Sequence, residues 1–424
     1  MTNRPAGSVG KLLNVCEAAP PSERLQLGAM QRCVLVKFGE IVLKGRNRAV
    51  FYSQLRKNVL RATAGMGRVE LRQRGGALAL VPADDRVEEL LDRARDLIGI
   101  TLLHPAVLLE RSPEAACAAA VELLRGKPGE TFAVRARRRD KSFRLSSHEL
   151  AALVGRVVQD ELGLAVDLDA PDLVIHLEVD RDEIFAFTER IPGRGGLPVG
   201  VSGKALVLIS GGIDSPVAGY RAMKRGLRCD FVHFSGRPFT GPESIFKAYA
   251  QVARLDRFQG GSRLYVVAFG RTQRELATVG AGRLQVIAQR RLMVRVASAL
   301  ARREGAGALV TGDSLGQVSS QTLQNLDVVE RAALVPLLRP LVAWDKAEIV
   351  REAEAIGTFD LAGLPAEDCC QLFSSPLAET RAAPERLDRL ESRLDLDETV
   401  EELVASAELA FPRLEQTPAG SLVA

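Results

Sequence analysis

The 424-residue chain has 57 Lys and Arg against 53 Asp and Glu, is 46% hydrophobic and has mean hydropathy +0.03. This profile fits a globular protein of about two to four domains, and excludes neither RNA nor other partners, since +4 is too mild an average to decide. Cys16, Cys33, Cys117, Cys229, Cys369 and Cys370 contain no Cys-x-x-Cys and the four histidines no ligand-like pair, which excludes a disulfide framework and argues against zinc.

No apolar run reaches the roughly 18 residues that cross a membrane and no secretion-signal core opens the chain, so residence in the cytoplasm is the default expectation. Residues 1–29 lack periodicity and read as a disordered leader. Over 30–97 the pattern predicts a strand from Cys33, a helix over 49–64, strands over 68–73 and 77–81, and a helix over 87–97. That order is ferredoxin-like α+β, with Lys44 and Arg46 in the connection after the first strand.

Residues 98–190 form a second unit: strands over 102–108, 131–136, 172–179 and 183–189, with helices over 113–124 and 148–162. Arg135, Arg137, Arg138, Arg139, Lys141 and Arg144 crowd into ten residues around Phe143. Such a run is either a solvated loop or a contact to a phosphate backbone, where clustered cations release counterions. Residues 191–204 have the Gly and Pro content of a linker.

The final domain, over 205–380, opens on the apolar run Ala205-Leu-Val-Leu-Ile209, then Ser210, Gly211, Gly212, Ile213, Asp214 and Ser215, then Pro216 at the start of a helical pattern. A buried strand, a turn whose glycines admit close approach, and a helix N-terminus make a plausible phosphate site. Asp214 would repel phosphate unless a cation lies between, so it reads as a Mg²⁺ position. Further strands over 229–234, 263–269, 308–311 and 334–338 alternate with helices over 216–225, 243–255 and 285–303, which predicts a doubly wound parallel sheet with its ligand at the carboxyl ends of the strands. Vicinal Cys369 and Cys370 follow in Glu367-Asp-Cys-Cys-Gln-Leu-Phe373, either as small apolar fillers or as presented thiols. Residues 381–424 close the chain as an acidic, amphipathic helical tail.

The Ser-Gly-Gly-Ile-Asp-Ser string resembles the PP-loop of ATP pyrophosphatases, a sheet of the adenine nucleotide alpha hydrolase-like kind. Phe38-Gly-Glu-Ile-Val-Leu-Lys-Gly-Arg-Asn-Arg48, Phe132-Ala-Val-Arg-Ala-Arg-Arg-Arg-Asp-Lys-Ser-Phe143 and Gly193-Arg-Gly-Gly-Leu-Pro-Val-Gly-Val-Ser-Gly-Lys204 are similar to the ferredoxin-like domain, THUMP domain and linker of tRNA 4-thiouridine synthetases. The resemblance implies ATP and Mg²⁺ at the loop, and tRNA bound by the two N-terminal domains through Lys44, Arg46, Arg135, Arg137, Arg138, Arg139 and Lys141. It implies ATP contacts from Leu208, Ile209, Ser210, Gly211, Gly212, Ser215, His233, Phe234, Arg290, Gly312 and Gln321. It implies catalytic roles for Asp214 and Lys346, and a sulfur-bearing thiol at Cys369 with Cys370 assisting.

The function so implied is adenylation of the uridine at position 8 of tRNA, followed by transfer of persulfide sulfur to give 4-thiouridine. Some members carry a C-terminal rhodanese domain, for which the residues after Cys370 are too few. Sulfur is therefore expected from another protein, such as a cysteine desulfurase, and a second role in thiamine thiazole synthesis is doubtful. Homodimerisation follows from the resemblance alone. Two rival readings are an iron–sulfur PP-loop thiolase, for which Cys229, Cys369 and Cys370 make the plausible trio, and a THUMP RNA-binding protein without catalysis.

Overall fold

The computed structural model describes residues 30–74, 76–366, 372–375 and 378–413. They divide into two compact units: one drawn from residues up to 42, 62–95 and 100–194, the other from 43–61, 96–99 and 195 onward.

The first unit is built on one nine-stranded sheet in the order β2 (Val69–Arg74), β3 (Ala77–Pro82), β1 (Gln31–Lys37), β4 (Leu102–Glu110), β8 (Glu183–Phe187), β7 (Leu173–Val179), β5 (Thr131–Arg138) and β6 (Ala165–Val166), with β9 (Ile191–Pro192) also on β4. The sequence reads as two units, over 30–97 and 98–190. Instead β4 uses both of its edges: it pairs along its length with β1, from Gln31↔Leu108 to Lys37↔Leu102, while Val107–Glu110 pair with β8. Alternation puts Phe132, Val134, Ile175, Leu177, Val179 and Ile184 into one core with the helices Pro113–Leu124 and Ser147–Leu162. The second of these helices starts at a capping box of Ser146 and Glu149, which satisfies two amides that the helix itself leaves unpaired.

The second unit holds a six-stranded sheet in the order β14 (Leu337–Leu338), β13 (Ala308–Val310), β10 (Lys204–Leu208), β11 (Arg228–Ser235), β12 (Leu264–Ala268) and β15 (Glu408–Ala410). All pairings are parallel except β12 with β15. The chain winds outward from β10 through β12, then crosses back to place β13 on the other side of β10. Leu206, Val232, Val267 and Leu309 face the long helix Gln285–Arg303, and Val207, Phe231, Val266 and Val310 the opposite layer, so the strands read as continuous apolar runs.

The helix Arg48–Ala62 belongs mostly to this second unit: Asn58 donates to the Val199 carbonyl at 3.0 Å and Arg61 to that of Gln259 at 3.3 Å. The expected linker is tied down, with Leu197 bridged to Arg225 and the Gly200 amide bonded to the Gly226 carbonyl. The expected tail is likewise structural as far as residue 413. Leu387, Leu390 and Leu403 of the helices Pro384–Glu391 and Leu396–Ala405 enter the core beside the long helix, and β15 covers the edge of β12. No helix among the described residues is long and apolar enough to cross a membrane.

Candidate active site

Chain reversal between β10 and β13 opens a crevice at the carboxyl ends of these strands, where open α/β sheets bind ligands. The loop after β10 folds on its own hydroxyls: the Ser210 amide donates to Ser215 Oγ at 3.0 Å, and the Gly212 amide to Ser210 Oγ at 3.3 Å. Gly211 takes φ +86°, which an L side chain rarely adopts. The helix Asp214–Lys224 follows, with Ile213 at its N-cap and no side-chain cap. Its first amides, which have no partner within the helix, are left for an anion.

Opposite lies the segment after β13. A Cβ on Gly312 would sit 2.7 Å from the Ser215 amide nitrogen and 2.8 Å from the Asp214 carbonyl carbon, so only glycine lets the two loops meet this closely. Between them is a cavity of about 360 Å³, within the usual size range of small-molecule sites. Its lining mixes the apolar side chains of Leu208, Val232, Phe234, Met293 and Val294 with polar groups of Ser210, Gly212, Asp214, Ser215, Arg290 and Gln321. Such a mixed lining suits a ligand that carries both an aromatic base and charge.

Asp214 stands at the mouth, where Lys346 Nζ lies 2.7 Å from its Oδ1 and Gln317 Nε2 donates to Oδ2 at 3.1 Å. Lys346 is placed by its position at the start of the helix Lys346–Ala355, whose capping box is formed by Asp345 and Glu348. Ser314 Oγ, bonded to the Trp344 carbonyl at 2.9 Å, ties this turn to the segment after β13.

The two adjacent arginines of the long helix go opposite ways. Arg290 lines the cavity, pairs with Asp313 and donates to Ser320 Oγ at 3.2 Å; Arg291 is buried and binds Glu391 and Asp388 of the helix Pro384–Glu391. Asp313 is a hub that sequence reasoning passed over. Its carboxylate also takes Thr311 Oγ1 at 2.8 Å, Arg339 Nε at 3.3 Å and, weakly, Gln321 at 3.4 Å. Burial alone would raise its pKa; the Arg290 charge, the Thr311 hydroxyl and the Arg339 charge outweigh burial and hold it below the ordinary aspartate value.

With this geometry in place, comparison with known proteins is decisive. A profile described as "Thiamine biosynthesis protein (ThiI)" matches residues 200–396, "ThiI ferredoxin-like domain" residues 33–103 and "THUMP domain" residues 114–189. A probable tRNA sulfurtransferase of Nocardia farcinica is 50% identical over 387 residues, covering 90% of this chain and 94% of the relative. The chain belongs to the tRNA sulfurtransferase family. A relative of the same name from Moorella thermoacetica is 40% identical over 381 residues, covering 90% of this chain and 97% of its own. A crystal structure of a 4-thiouridine synthetase–RNA complex with bound ATP superimposes with TM-score 0.84 at 34% identity, covering 90% of this chain and all of that one.

For a member of the tRNA sulfurtransferase family, most of the expected nucleotide residues come together: Leu208, Ile209, Ser210, Gly212, Asp214, Ser215, Phe234, Arg290, Gly312 and Gln321 all line the one cavity, with Gly211 in the same loop. His233 does not. Strand alternation turns it to the other face of β11 from Phe234, where it bonds the Ile209 carbonyl at 2.9 Å and Ser244 Oγ at 3.2 Å, both inside the protein. It supports the strand tip.

Cys369 and Cys370 lie outside the described residues. Cys229 is 0% exposed at the amino end of β11, the end of the sheet away from the loop, with Sγ against the Gly219 carbonyl at 3.7 Å. Burial raises its pKa, so it is neither placed nor charged to share an iron–sulfur cluster at the site.

Of the basic candidates, Arg137 and Lys141 are exposed, and Arg135 is exposed with a bond to the Leu168 carbonyl. Arg138 and Arg139 are engaged within the fold. Arg138 donates to the carbonyls of Phe143 and Leu145 at 3.3 and 2.9 Å, and Arg139 reaches Glu178 at 2.7 Å, which Lys37 also binds. Buried Phe143 anchors this loop, so it is less free than its composition suggested. Lys44 and Arg46 belong to the other unit; Lys44 packs over the Phe51 ring and Arg46 is exposed.

Proposed function

We propose that this chain adenylates the uridine at position 8 of tRNA with ATP and then replaces the activated oxygen by sulfur from a persulfide, giving 4-thiouridine. The observation that carries the proposal is the cavity between the loop after β10 and Gly312, lined by apolar side chains together with Asp214 and Arg290, beside a helix N-terminus with no side-chain cap and with Lys346 bonded to Asp214. ATP bound to the related 4-thiouridine synthetase and RNA in the same complex support the same substrates here.

In this reading the adenine lies against Phe234, Leu208 and Val294, and the triphosphate over Ser210–Ser215. Uridine O4 attacks the α-phosphorus and pyrophosphate leaves; its charge is met by Lys346 and the helix amides, donors fixed before the reaction. The terminal sulfur of a persulfide on Cys369 or Cys370 then bonds to C4 and AMP departs with the oxygen. Cleavage of the S–S bond by the other thiol leaves the sulfur on tRNA and a cysteine disulfide, which a thiol reductant reopens. A cysteine desulfurase, or another persulfide carrier, is the donor.

Mg²⁺ fits this site because a carboxylate beside the loop would otherwise repel the phosphates. Asp214 would hold it with phosphate oxygens, and the ion would screen their charge. Pyrophosphate release tests the proposal. It should require ATP and a tRNA that carries uridine at position 8, and release independent of that uridine would count against it.

A further inference from the structure

Beneath the phosphate loop lies a side chain that does not line the cavity. Gln251, in the helix Glu243–Asp256, is 0% exposed and donates through Nε2 to the carbonyls of Gly211 at 3.0 Å and Gly212 at 3.1 Å. Both N–H bonds of its amide are thereby used on two successive peptides of the loop.

Because a trans peptide is planar, with its C=O and N–H on opposite sides, fixing a carbonyl fixes the direction of the next residue's amide. With the Gly211 and Gly212 carbonyls held toward Gln251, the amides of Gly212 and Ile213 face away from it. Gly212 is also the loop glycine that lines the cavity. The Gly211–Gly212 peptide has no Cβ on either side and Gly211 sits at φ +86°, so it is the peptide most able to flip. A flip would turn a carbonyl oxygen toward bound phosphate. Lys247, one turn earlier, lays its methylenes over Gly211, 3.4 to 3.5 Å from where a Cβ would be. It crowds the same glycine without bonding its carbonyl.

We infer that Gln251 is a positioning residue for the phosphate loop: it locks the Gly211–Gly212 and Gly212–Ile213 peptides so that neither carbonyl turns toward the polyphosphate, with the Gly212 amide held on Ser210 Oγ and the Ile213 amide facing away from Gln251. The inference rests on reading the cavity as an ATP site. Nothing in the family resemblance singled Gln251 out; the clue is a buried polar residue among the apolar Ala248, Val252 and Leu255 of the same helix.

Gln251→Met keeps the length and removes both donors, and Gln251→Glu keeps the shape with a carboxylate that cannot donate. Equilibrium binding of ATP and of AMP, with KM for ATP and for tRNA, is to be measured on both variants of the full chain, with melting temperatures as the check on folding. ATP binding should weaken about tenfold or more in either variant. AMP, which lacks the β and γ phosphates, should stay within about twofold, as should KM for tRNA. Equal weakening of ATP and AMP, or unchanged ATP affinity, overturns the inference. If the methionine variant does not fold, the glutamate variant decides alone. Wild-type protein that binds neither nucleotide overturns instead the ATP reading on which the inference rests.

Discussion

Lys346 Nζ sits 2.7 Å from Asp214 Oδ1, a contact between residues far apart in sequence that joins the start of one helix to the start of another at the mouth of the cavity. Lys346 is about half exposed, so as an ion pair the contact adds little to stability, on the order of 0–1 kcal/mol. On the proposed reading its role is functional: the cation and the carboxylate are held where phosphate charge would develop. Lys346→Met and Asp214→Asn should each lower kcat for thiolation about 100-fold or more while leaving the unfolding midpoint nearly unchanged. A large loss of stability with preserved kcat per folded molecule would assign the pair a structural role.

Gly312 offers a steric test of the same site. Adding one methyl group 2.7 Å from the Ser215 amide forces apart the two loops that bound the cavity. Gly312→Ala should raise KM for ATP by at least about tenfold and cost roughly 1–3 kcal/mol of stability, read from nucleotide titration and urea unfolding.

The neighbouring Arg290 and Arg291 should separate nucleotide binding from folding. Arg291→Ala leaves Glu391 buried beside the partly exposed Arg295 and should destabilise the second unit by about 3–5 kcal/mol, detectable by thermal unfolding. Arg290→Ala leaves Asp313 paired with Arg339, so its effect should fall on ATP binding more than on melting temperature.

The basic loop divides in the same way. Arg137→Ala and Lys141→Ala should weaken tRNA binding and reduce the slope of log affinity against log salt by roughly 1 each. Arg138→Ala and Arg139→Ala should lower stability of the first unit instead, because their partners are the carbonyls of Phe143 and Leu145 and the carboxylate of Glu178.

Local periodicity made most elements legible. The helices Pro113–Leu124 and Gln285–Arg303 coincide with their expected bounds, since each has a clear apolar face and a definite start or stop. What the sequence could not display was long-range pairing. Joining of the two N-terminal units through β4 depends on residues 107–110 meeting β8, and β15 is a three-residue strand that exists only because β12 offers an edge. At the site, motifs exposed the residues that touch the cavity, but not those that hold them. Asp313 drew no notice because its partners Arg290 and Arg339 are distant in sequence, and Gln251 lay in an unremarkable helix. His233 shows the opposite case: its neighbour Phe234 does line the cavity, and the alternation of β11 sends the His233 ring the other way.

The central claim is tested most directly by nucleoside analysis of unmodified tRNA incubated with this protein, ATP, Mg²⁺, cysteine and a cysteine desulfurase. The account predicts 4-thiouridine at position 8 with the wild-type chain, and none with Asp214→Ala or Cys369→Ser. No 4-thiouridine from the wild-type chain, or undiminished 4-thiouridine from both variants, would contradict it.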